Sequence, residues 1–131
     1  MKIAVYIITV LSFFISAGCS NSFSESDAVK YTFTKLHNLN EPHLNADFPK
    51  RNGTRNMKVS IGGMYGNTTI LMLTTSVKLI DTETYEVTFI KDWNYIVDDK
   101  NVISYWKFRV TPNNVTLLGK DDKDDLLSAI G

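Results

Sequence analysis

The sequence predicts an α+β fold: an N-terminal helix packed on a curved antiparallel meander sheet of 4–5 strands, with a short C-terminal helix. Three observations carry this. Thr84 to Val110 holds two alternating apolar/polar runs with a polar turn between them, the pattern of a hairpin with one buried face. Further alternating runs flank it on both sides, joined by short polar turns, so neighbours in sequence should be neighbours in the sheet. The stretch Asp27 to Asn40 instead has apolar residues at helical spacing.

In the hairpin, Tyr85, Val87, Phe89 and Trp93 share one face of the first strand, and Lys91 falls on that same face near the strand end. Val102, Trp106, Phe108 and Val110 share one face of the second. Both tryptophans lie here, so this pair should supply the largest part of the core. Tyr105, Lys107 and Arg109 take the opposite face. Asp98-Asp99-Lys100-Asn101 forms the turn.

The helix has Val29, Phe33 and Leu36 at i, i+4 and i+7, with Ser26 or Asp27 as the expected cap. Tyr31-Thr32-Phe33-Thr34 also alternates, which leaves a strand as the competing reading. Glu41 to Asn56, with Pro42, Pro49 and Gly53, reads as a loop with a short turn near Leu44 to Phe48. Met57, Val59 and Ile61 then alternate as a strand, and Gly62 to Asn67 turns the chain. Thr68 to Ile80 places Leu71, Leu73, Val77 and Leu79 on one face and is long enough to expect a bend near Thr74 to Ser76. After Pro112-Asn113-Asn114 comes Val115 to Leu118, and the aspartate-rich stretch from Asp121 suits a terminal helix start.

A chain of 131 residues suits one domain, and 14 basic against 14 acidic residues argues against a nucleic-acid partner. With one cysteine, no internal disulfide can form. That cysteine is Cys19, after Met1-Lys2, an apolar run to Ile15 and then Ser16-Ala17-Gly18. A charged start, an apolar middle and small residues at the cut describe an export signal. Ala17-Gly18-Cys19 resembles the lipobox of bacterial lipoproteins, in which the cysteine is acylated and the bond before it cleaved; Ser16 departs from the aliphatic residue usual there. The resemblance implies a signal peptide at residues 1–18, a lipidated Cys19 with a flexible tether to residue 26, and a single domain at 27–131. Plain secretion with a free Cys19 is the main alternative; an uncleaved anchor and a buried core element are the others, the apolar run being shorter than the ~20 residues needed to span a bilayer. Cleavage removes Lys2 and leaves 13 basic and 14 acidic side chains, so lipid rather than charge would hold the protein to the outer side of the membrane.

No constellation carries chemistry. His37 and His43 could in principle share a metal with Glu41 or Asp47, but the spacing fits no zinc pattern, and no metal or other cofactor is expected. Asp121, Asp122, Asp124 and Asp125 fail the EF-hand pattern, since Lys123 and Leu126 stand at its third and sixth positions. Gly62-Gly63-Met64-Tyr65-Gly66 precedes a strand rather than the helix a phosphate loop requires. No Gly-x-Ser-x-Gly elbow exists, and Asn52-Gly53-Thr54, Asn67-Thr68-Thr69 and Asn114-Val115-Thr116 match glycosylation acceptors only by accident in a bacterial lipoprotein. The expected contact residues are Tyr105, Lys107 and Arg109 on the open sheet face, with Met64 and Tyr65 at a loop tip.

The helix-then-meander plan resembles cystatin-like and nuclear-transport-factor-like domains, an architecture that hosts many functions. The runs Tyr85 to Trp93, Ser104 to Pro112 and Val115 to Leu118 resemble a group of small exported proteins of Bacillus and related Firmicutes, with no catalytic residues to carry over. The expected function is therefore a non-catalytic, lipid-anchored binding module facing an envelope or secreted protein, in one version shielding the cell from a secreted toxin or hydrolase. The alternative is a small enzyme or ligand carrier with a pocket between helix and sheet.

Overall fold

The computed structural model describes residues 22–60 and 68–126. Cys19 and the signal segment, the turn with Met64 and Tyr65, and residues 127–131 lie outside the described residues. Helix α1 (Glu25–Leu39) is followed by β1 (Gly53–Ser60), β2 (Thr68–Asp81), β3 (Thr84–Val97), β4 (Lys100–Thr111) and β5 (Asn114–Asp121). The strands form one antiparallel sheet in sequence order, and α1 lies across β2 to β5 on one face. This is the expected α+β meander. A final helical turn opens at residue 124.

The helix starts earlier than its apolar spacing indicates. Ser24, not Ser26 or Asp27, is the cap: its Oγ accepts from the Asp27 amide at 3.1 Å, and the Asp27 carboxylate accepts from the Ser24 amide at 3.0 Å. That reciprocal box satisfies two otherwise orphaned donors. It also holds the Asp27 carboxyl below its ordinary value, through the Ser24 backbone bond first and the Ser24 hydroxyl second. The tether expected to reach residue 26 thus gives way to structure by Phe23. The Phe23 ring meets Tyr31 edge-on, and its carbonyl accepts from the Tyr85 hydroxyl at 2.9 Å. Burial, and then the nearby Glu25, Glu83 and Asp27 charges, push that hydroxyl's pKa up. At the other end Asn40 takes the left-handed conformation and its amide reaches back to the last turn.

Val29 and Leu36 are buried as their spacing predicts, joined by Ala28 and Thr32; the Thr32 hydroxyl is silenced by donating to the Ala28 carbonyl at 2.7 Å. The loop from Glu41 contributes the piece that spacing could not reveal. Phe48 is fully buried against Phe89, which in turn meets Phe33 and Phe108. Each such ring contributes about 1.5–3 kcal/mol through burial. With Trp106, Val87 and Val110 they fill the space between helix and sheet where the ligand-carrier reading needs a cavity.

The strands differ from expectation in their limits. β1 begins at Gly53 rather than Met57, because Thr54 to Asn56 pair with β2. β2 runs unbroken through Thr74 to Ser76; its irregularity falls between Leu79 and Asp81, leaving Leu79 exposed. The β3–β4 turn is only Asp98-Asp99, both with positive φ, which matches the right-handed twist of the strands it joins.

Candidate functional site

Among the described residues, buried charged groups gather at the end of the sheet, beyond Phe89. Lys91 points inward two positions further along β3 and is 5% exposed. A lysine there must be paired, because an isolated buried ammonium is costly. Its Nζ donates to Asp124 Oδ2 at 2.6 Å and to the His43 carbonyl at 2.6 Å, and it lies 5.7 and 5.8 Å from the Trp93 and Trp106 ring centroids. Asp124 Oδ1 accepts from Trp93 Nε1 and Ser104 Oγ, each at 3.3 Å. Ser104 Oγ in turn accepts from the Lys123 amide at 2.8 Å. Asp122 Oδ2 lies 2.6 Å from His43 Nδ1, while its Oδ1 accepts from the Asp124 amide and so caps the terminal turn. Nearby, the buried Glu41 carboxylate accepts from Lys120 at 3.0 and 3.3 Å.

His43, Asp122 and Asp124 bring ligand-type atoms within 4.8 Å of one another. A divalent ion there would have to displace the Lys91 ammonium from Asp124 and then sit beside a fixed positive charge. Lys91 and Ser104 are direct partners across β3 and β4, the pairing a serine–lysine nucleophile would use. Yet Ser104 is fully buried and Lys91 is bonded to the Asp124 carboxylate, so this pair is not presented to the surface. What the arrangement does is fasten: it ties the loop at His43 and the chain end at Asp122 and Asp124 to the sheet.

Sequence reasoning read the Asp121 to Asp125 run as a solvated helix start and missed this fastening. Asp122 and Asp124 do start the turn, but both are partly buried in ion pairs. The available signal was Lys91 itself, a charge at an inward position between Phe89 and Trp93. His37 stays exposed at the end of α1, apart from this cluster.

Tyr105, Lys107 and Arg109 stand on the face away from α1, as their alternation predicts. Register places Thr54, Thr74, Ile90, Tyr105 and Asp121 in one row across the open face and Asn56, Met72, Asp92 and Ile103 in the next. Tyr105 is 41% exposed, with Ile70 and Met72 also exposed on that face. The other end is charged, with Lys107 3.6 Å from Glu86 and Arg109 exposed beyond it. α1 packs on the opposite face, with the inward residues of the strands.

No family model, curated protein or solved structure matches the chain. Among the described residues no helix is long and apolar enough to cross a membrane. Asn52, which carries the chance glycosylation pattern, has its side chain committed elsewhere. It accepts from the Val77 amide at 2.6 Å and donates to the Val77 carbonyl at 3.2 Å, acting as one more residue of β1.

Proposed function

We propose that this chain is a non-catalytic binding module, exported and held at the outer side of the bacterial membrane by lipid on Cys19, that meets a protein partner with the open sheet face. The observation that supports it is the exposed Tyr105 ring on that face, with Ile70 and Met72 exposed on the same face and Lys107 and Arg109 further along β4. An aromatic anchor inside a rim of charged side chains is the composition of a protein contact surface. Among the described residues, the buried side-chain polar groups other than Trp106 Nε1 are engaged in internal bonds, which favours binding over catalysis. In its protective version the partner is a secreted toxin or hydrolase.

The test has two parts. The mass of the mature protein from its native membrane should equal residues 19–131 plus a diacylglyceryl group; an unmodified mass in the medium would overturn the anchor. Cross-linking on intact cells should then join the wild type, but not Tyr105→Glu, to one protein. Equal cross-linking of both would overturn the open face as the binding surface.

A further inference from the structure

β1 forms one edge of the sheet, away from Tyr105. β1 pairs only with β2, so on alternate residues its backbone N–H and C=O groups point away from the sheet, and no described strand meets them. A groove of about 480 Å³ runs beside its first half, where the loop from Ala46 folds back. Its charged lining is Lys50, Arg51 and Arg55 against Asp47 alone. Lys58 follows on the same strand.

Among the described residues Arg51, Arg55 and Lys58 make no ion pair, and the contact of Arg55 is a 3.5 Å bond to the Asp47 carbonyl. Lys50 is held differently, 3.7 Å over the Phe33 ring and donating to the Ala46 carbonyl, and burial lowers its pKa. Register puts Arg55 opposite Leu73, on the helix side, and Lys58 opposite Ile70, on the open side. An added strand would meet positive charge on both of its faces.

Edge strands commonly use charge to repel unwanted pairing. Here the charge has one sign, so it rejects basic strands and a second copy, whose own Arg55 and Lys58 would face these. It leaves acidic strands admissible. We infer that the β1 edge binds an acidic, extended segment of a partner protein by strand addition, with Arg51, Arg55 and Lys58 reading its carboxylates. This goes beyond the open-face reading and does not depend on it.

The probe is a short peptide of alternating glutamate and threonine, titrated into the isotopically labelled mature chain while amide resonances are followed. Perturbation and slowed exchange confined to β1 amides are expected, with affinity falling about tenfold or more in Arg51→Glu/Arg55→Glu, whose positions are exposed and should leave the fold intact. The same peptide methylated on alternate backbone nitrogens keeps its charge but should not bind. Equal binding of the methylated peptide would overturn strand addition in favour of a general polyanion site. Binding to vesicles of anionic lipid but not to the peptide would overturn it in favour of a membrane surface. Perturbation of open-face amides, or of none, would also overturn it.

Discussion

Lys91 Nζ and Asp124 Oδ2 meet at 2.6 Å, joining the interior of the sheet to the start of the last turn across 33 residues of sequence. Their side chains are 6% and 12% exposed, so each charge depends on the other for compensation. Lys91→Ala should destabilise the domain by about 3–5 kcal/mol, because it strands a buried carboxylate. Lys91→Met with Asp124→Asn should cost clearly less than the two single changes added together. Urea unfolding of all four proteins checks this; simple additivity would mean that the pair is not coupled.

Asn52 should matter more than its loop position suggests. Asn52→Ala leaves the Val77 amide without its acceptor, and about 1–3 kcal/mol should be lost. Asn52→Asp keeps the acceptor but sets a second negative charge toward Glu25, whose Oε2 lies 3.3 Å from the Asn52 amide nitrogen, so it should not restore stability. Hydrogen exchange at the Val77 amide, faster in Asn52→Ala, locates the effect.

The capping box gives α1 a pH dependence of known sign. Because folding lowers the Asp27 pKa, its contribution is fully present above the ordinary value of 3.8 and is lost as the pH falls through the folded value. The stability gap between wild type and Asp27→Asn should therefore close in acid. Ser24→Ala should cost about 1 kcal/mol at neutral pH. Urea midpoints at neutral and low pH test both statements.

The open face and the core should separate cleanly. Tyr105→Ala should change stability by no more than about 0.5 kcal/mol, since the ring lies half outside the fold. Phe89→Ala, which empties the centre of the aromatic cluster, should cost about 3–5 kcal/mol. A large loss from Tyr105→Ala would mean that this face is built for stability rather than contact.

The β3–β4 turn can be improved. Asp98 and Asp99 both hold positive φ, where asparagine and glycine are more at ease, and two adjacent negative charges add repulsion. Asp98→Asn with Asp99→Gly should raise stability by about 0.5–1 kcal/mol, read as a higher thermal midpoint.

The sequence by itself determined which residues face inward along β3 and β4 and along β2 as far as Val77, and the order of the strands, and it favoured a helix for α1. Those follow from periodicity and short connections, which are local. It also determined that Tyr105, Lys107 and Arg109 share the outer face. Tertiary structure alone decided that Phe48 enters the core from a loop, that the Asn52 side chain bonds Val77, and that Lys91 meets Asp124. It also decided which edge of the sheet stays open beside Arg51 and Arg55. None of these has a repeating pattern, because each joins segments far apart in the chain, and only the closed packing of loop, helix and sheet selects the partner.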